Sequence, residues 1–125
     1  MENFTTLNKA HQENNELTSK MEFYKDEIRI LKNRLSDVAK DLKKEKDFKE
    51  IERLQNQLEI QENNVNNITH AIRNDEKFID KTLSKGPTRE TKSREEQHQK
   101  EFDLVLSFER NFKEVRKAIK DLSPH

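Results

Sequence analysis

The chain has 125 residues, of which 30% are hydrophobic and 40% charged, and its 25 basic and 25 acidic side chains cancel to a formal charge of zero. So little apolar material excludes a thick globular core, while the balanced charge argues against disorder, which couples low hydrophobicity to a large net charge. With no cysteine in the chain, disulfides and thiolate metal sites are excluded, and any metal would have to be held by His and carboxylates.

The amino-terminal part carries the clearest pattern, with apolar residues recurring at steps of three and four. Taking Leu7 as heptad position a, the a series is Leu7, Asn14, Met21, Ile28, Leu35 and Leu42, and the d series is Ala10, Leu17, Tyr24, Leu31 and Val38. Only Asn14 breaks the apolar rule. Thr5 or Thr6 supplies an N-cap hydroxyl, and helix one is expected over 5–43.

Beyond Leu42 the register fails, since Glu45 falls at the next d position and the pattern resumes at Ile51 in a new phase. The shift of two residues is neither a stutter nor a stammer, so a turn near Lys44 to Asp47 is the economical reading. Asp47 and Glu50 are spaced as a capping box for helix two, expected over 48–83. The alternative is one continuous helix through Lys43 to Lys49, dimerised into a rod. The second break is sharper: Ser84, Lys85, Gly86, Pro87 and Thr88 include the only glycine, suited to a left-handed helix terminus, and a proline that cannot continue the ladder. After a linker over 84–92, helix three is expected over 93–122, with Ser93 and Glu96 spaced as its capping box, although Pro87 could equally open it earlier, and Val105, Phe108, Phe112, Val115, Ile119 and Leu122 as its seam. Three helices joined by turns give the expected fold, an all-α, elongated antiparallel three-helix bundle in a single domain over 1–125. Ala71 and Phe78 in helix two and Leu104 and Ala118 in helix three, all at g, widen the seam beyond a strict dimer stripe.

The segment MEFYKDEIRILKNRLSDV, Met21 to Val38, resembles small uncharacterised bacterial coiled-coil proteins, a resemblance that covers less than a fifth of the chain. It implies a bacterial source and a helical scaffold, and no chemistry. The three-helix layout is also similar to spectrin-type repeats, which typically place a tryptophan in the first helix where this chain has none.

Function classes narrow in the same way. The densest basic stretch, Lys40 to Lys49, interleaves Lys43, Lys44 and Lys46 with Asp41, Glu45 and Asp47, so no stripe releases counterions from nucleic acid. No run approaches the ~18 apolar residues of a membrane span, and alternating charge signs do not suit a basic membrane-surface helix. Met1 to Lys20 are too polar for a secretory leader, so a cytoplasmic location is expected. No nucleophile has a base at triad-like spacing, so neither an enzyme nor a cofactor is expected.

Two groups of residues remain. Folding the chain at its two turns sets Asn14, Asp75 and His98 at one level, all at a or d, and Gln61 at d forms a second polar position; buried polar groups of this kind fix register. Glu95 and His98 form Glu-x-x-His, half of a di-iron ligand set, with no second copy in the chain; a His and carboxylate metal site from Asp75, Glu95, His98 and His11 is the alternative reading of that layer. Off the seam, Phe23 and Ile30 at c of helix one, Ile60 at c of helix two and Leu106 at b of helix three are expected to cluster near mid-bundle as an interaction patch. The expected function is a structural or protein-interaction bundle that binds a protein partner or itself, against a metal-binding or a membrane-surface alternative.

Overall fold

The computed structural model describes residues 4–41, 45–86 and 91–122. They form three α-helices, α1 (Phe4–Asp41), α2 (Glu45–Lys85) and α3 (Thr91–Leu122), with no strand among the described residues. All three pack against one another. Contacts of His11 with Glu76 and of Lys32 with Glu62 run α1 and α2 antiparallel, whereas Glu13 with His98, Lys20 with Glu109 and Glu27 with Arg116 run α1 and α3 parallel. The chain therefore doubles back twice, which rules out one helix running on through Lys43.

Burial follows the heptads. Along α1, Leu7, Ala10, Asn14, Leu17, Met21, Ile28, Leu31, Leu35 and Val38 are buried and Tyr24 is half-buried. Ile51, Leu54, Leu58, Val65, Ile68, Ile72 and Ile79 of α2 meet them, with Val105, Phe108, Phe112, Val115 and Ile119 of α3. Each such side chain contributes about 1.5–3 kcal/mol when fully removed from water, so one thin seam suffices for a chain this polar. The expected widening at g holds only for the small residues. Ala71 and Ala118 are partly buried, but Phe78 and Leu104 are exposed, their longer side chains reaching past the filled a/d seam into solvent.

Helix ends differ from their expected places. Since α1 starts at Phe4, Thr5 and Thr6 lie inside its first turn and not ahead of it. Asp47 and Ser93 likewise fall within α2 and α3, which begin at Glu45 and Thr91, so neither capping box opens its helix. Glu50 turns forward, accepting from Arg53 Nη2 at 2.7 Å and Nε at 3.1 Å, a pairing one turn along the helix that the box would have used up. Of the turn expected at Lys44 to Asp47, residues 45–47 are helical and Lys44 lies outside the described residues; of the linker expected over 84–92, residues 84–85 and 91–92 are helical and 87–90 lie outside the described residues. Gly86 does terminate α2: its φ is 86° and its N–H donates to the Thr82 carbonyl at 2.8 Å. That left-handed closure carries the helix to Lys85, two residues past the last apolar position, Leu83.

An aromatic and ionic clamp fixes α3 on α1. The Tyr24 ring meets Phe108 and Phe112 edge-on at 5.0 and 5.4 Å, Phe108 stacks on Phe112 at 5.5 Å, and the Arg116 guanidinium lies 4.9 Å from the Phe112 centroid. Arg116 also grips Glu27 with Nε and with Nη2, the latter at 2.8 Å, and Tyr24 donates its hydroxyl to Glu109. Burial first, then the bond to Glu109 and its negative charge, push the Tyr24 phenol up to about 12. A group whose folded pKa is raised contributes stability that is complete below its ordinary pKa of 10.0 and disappears as pH climbs through about 12. Because Tyr24 is the only tyrosine, alkaline titration of phenolate absorbance should show ionisation displaced upward from 10.0. Tyr24→Phe should lower stability by about 1 kcal/mol at neutral pH, and should abolish the phenol's share of the alkaline loss in urea unfolding.

Candidate functional site

Toward the start of α1 the apolar seam is interrupted. Asn14 sits at a of α1, Asp75 at d of α2, and counting the α3 register back from Val105 puts His98 at a and Glu101 at d. Asn14, Asp75 and Glu101 are buried, the His98 side chain is only 11% exposed, and together they make one polar cross-section through the bundle. This layer divides the hydrophobic core: a large cluster from Leu17 onward lies on one side, and Leu7, Ala10 and Ile79 form a small one on the other.

The bonding is continuous across the three helices. Asn14 Nδ2 donates to Asp75 Oδ2 and to Glu76 Oε1, each at 2.8 Å, and His11 Nδ1 meets Glu76 Oε2 at 2.6 Å. His98 Nδ1 lies 2.7 Å from the same Asp75 Oδ2 and 3.6 Å from Glu101 Oε2. On the other side of the ring, Nε2 faces Glu13 Oε2 of α1 at 3.6 Å. Phe102 stands edge-on to the imidazole, centroids 5.3 Å apart, and fixes its plane. Asn14 Oδ1 is buried with no hydrogen-bond partner. A buried acceptor without a donor is unfavourable, so this oxygen marks a place where the layer has capacity to bind something more.

Asn14, Asp75 and His98, placed at one level by the sequence, are thus in direct contact. Gln61 is buried too, accepting from Asn64 Nδ2 at 3.4 Å, but it lies about 21 Å along α2 from Asp75 at the usual rise per residue. Of the other metal candidates, His11 touches the layer only through Glu76, its side chain 47% exposed, and Glu95 is exposed and takes no part. Glu101 occupies the role that the Glu-x-x-His spacing had given to Glu95. Sharing a helix face with His98 is not enough, because the a and d positions of the bundle register point inward and Glu95 falls at e. Glu13 and Glu76, beside the seam at g and e, were also missed.

Compared with protein-family models, curated proteins and solved structures, the chain matches none. The site must therefore be read from its chemistry. Among the described residues, Asp75, His98 and Glu101 form a cluster whose possible ligand atoms all lie within 4.8 Å of one another. One nitrogen and two carboxylate oxygens are a donor set for a divalent cation, and the same groups also serve as a register lock.

The four off-seam apolar residues are exposed, Phe23 by 65%, Leu106 by 58%, Ile30 by 52% and Ile60 by 48%. They do not form one cluster. Phe23 and Ile30 continue the α1 stripe of Lys20 and Glu27, and Leu106 continues the α3 stripe of Glu109 and Arg116, so these three share the α1–α3 flank. Ile60 instead lines a groove between α2 and α3 with Gln57, Asn64, Asn111 and Ala118. Level arithmetic puts Ile30 and Ile60 at one height, but helix rotation turns them to opposite flanks.

No helix among the described residues is long and apolar enough to cross a membrane.

Proposed function

We propose that this chain is a non-catalytic structural and protein-interaction bundle, placed in the cytoplasm, that pairs with a second copy of itself through the α1–α3 flank. The observation that carries this reading is the set of three large apolar side chains, Phe23, Ile30 and Leu106, each more than half exposed on one flank of a bundle whose seam is already filled. Exposed large apolar side chains on one flank are removed from water by association. A second copy suits it for an electrostatic reason. The chain has zero formal charge, and two ion pairs of this flank, Lys20 with Glu109 and Glu27 with Arg116, are already formed within one bundle. Two identical flanks of a chain with no net charge can therefore meet about a two-fold axis, in an isologous contact.

Light scattering at tens of micromolar protein tests the proposal. The wild-type chain should give twice its 15.0 kDa mass, and Phe23→Glu combined with Ile30→Glu should give a single chain with unchanged helical circular dichroism, since these exposed positions hold no part of the core. A monomeric wild type would refute self-association, and so would a dimer that survives both substitutions.

A further inference from the structure

We propose that Asp75, His98 and Glu101 bind a divalent transition-metal ion of the Zn2+ class inside the bundle, with Asn14 closing the site. This goes beyond the interaction reading and stands on different residues. Its first support is geometric. Zinc bonds of about 2.0–2.2 Å to nitrogen and oxygen imply tetrahedral ligand–ligand separations of roughly 3.3 Å. His98 Nδ1 lies 2.7 Å from Asp75 Oδ2 and 3.6 Å from Glu101 Oε2, so small side-chain rotations convert the present contacts into a coordination shell.

The second support is charge. Two carboxylates whose side chains are only 1% and 4% exposed are drawn together around a single imidazole. A dication held by all three would set two positive charges against the two carboxylates, and a bound cation is often the largest local charge in such a site.

The surroundings supply the third. A histidine that ligates metal through one ring nitrogen usually turns the other toward a carboxylate, which fixes tautomer and orientation. With Nδ1 on the cation, Nε2–H points at Glu13 Oε2, 3.6 Å away on α1. The fourth ligand comes from α1 as well. Asn14 holds Asp75 Oδ2 through Nδ2 at 2.8 Å, which leaves its buried, unpartnered Oδ1 one amide width away. An amide oxygen with no donor to satisfy it becomes a ligand without losing any existing bond. The site then takes donors from all three helices, and the metal acts as a structural cross-link across the seam.

Full-length protein stripped with EDTA and dialysed tests this directly. Titration with Co2+ should produce tetrahedral d–d absorption saturating at one equivalent, and Zn2+ should displace it. Zn2+ at a hundredfold excess over its Kd should raise Tm by about 10 °C. Glu101→Gln and Asp75→Asn keep size and shape, so they should fold, yet weaken Co2+ binding by more than about 100-fold. Glu13→Gln should weaken it by about 10–100-fold without changing the stoichiometry. Glu95→Gln and His70→Gln, at exposed positions, should bind as the wild type does. A wild-type chain without saturable Co2+ absorption or Zn2+-dependent Tm would overturn the site, leaving a hydrogen-bonded register lock. Binding that persists in both Glu101→Gln and Asp75→Asn would overturn it too, as adventitious surface binding. The mass in solution of the unsubstituted apo protein is a separate readout, so failure of either proposal leaves the other standing.

Discussion

Phe112→Ala should destabilise the bundle by about 3–5 kcal/mol, the range for truncating a fully buried aromatic, which is a large part of the margin of a domain this size. Phe112 has no exposed surface and is at once the stacking partner of Phe108, the edge-on partner of Tyr24 and the platform beneath Arg116. Its removal leaves a cavity and loosens the Tyr24 and Arg116 side chains that tie α3 to α1. Urea unfolding followed by helical circular dichroism measures the loss. Phe112→Leu, which fills more of the hole, should recover over half of it. A loss under 1 kcal/mol for the alanine variant would mean that the clamp does not hold the two helices together.

Removing Asp75 should have the next largest effect. Asp75→Leu deprives both Asn14 Nδ2 and His98 Nδ1 of their shared acceptor, and each buried group left unsatisfied costs about 1–3 kcal/mol. Asn14 keeps Glu76 and His98 keeps the neighbouring Glu101, so the total should lie near 2–4 kcal/mol in metal-free buffer. Replacing the whole layer has the opposite sign. With Asn14, Asp75, His98 and Glu101 all changed to leucine, the two parts of the core fuse, and the variant should be at least as stable as the wild type, because apolar packing commonly equals or exceeds a buried ionic network. What should suffer is uniqueness: light scattering should show mixed oligomers, since the residues that penalise a shifted register are gone. If the all-leucine variant unfolded more easily than Asp75→Leu, the layer would be a net source of stability.

Much of this architecture was legible in the sequence, for a definite reason. A heptad register is a global constraint, so Leu7 to Val38 declare a buried face together, and the two-residue phase shift before Ile51 reveals that the chain must turn. Gly86 was legible because only a residue without Cβ adopts its positive φ at little expense. The helix starts were not. Asp47 with Glu50 and Ser93 with Glu96 have the spacing of caps, but a local motif competes with packing, and α2 and α3 begin two or three residues earlier than those boxes require.

The polar layer was legible at Asn14, Asp75 and His98 by levelling the helices about their turns. Glu101 was available from the same register, three residues past His98, yet a local motif drew attention to Glu95, one turn before it on an exposed part of the helix. For the apolar surface, height along the bundle was legible and azimuth was not. The side chains flanking a seam face different neighbours depending on which way each helix rolls, and one strand of heptads does not encode that roll. Hence Phe23, Ile30 and Leu106 share a flank while Ile60 faces elsewhere.

The division of the core by that layer bears on how the molecule breathes. Leu7, Ala10 and Ile79 form too small a greasy plug to hold their end shut unaided, so its closure leans on the wet bulkhead beside it. Water that invades between Asn14 and Asp75 meets hydrogen-bonding groups ready to receive it, so the contacts of Leu7 and Ala10 with Ile79 can part while everything beyond Leu17 stays zipped. Such partial opening is the ordinary way for the weakest cooperative unit of a protein to sample solvent, and it offers an ion a route into the interior that does not require the rest of the fold to come apart.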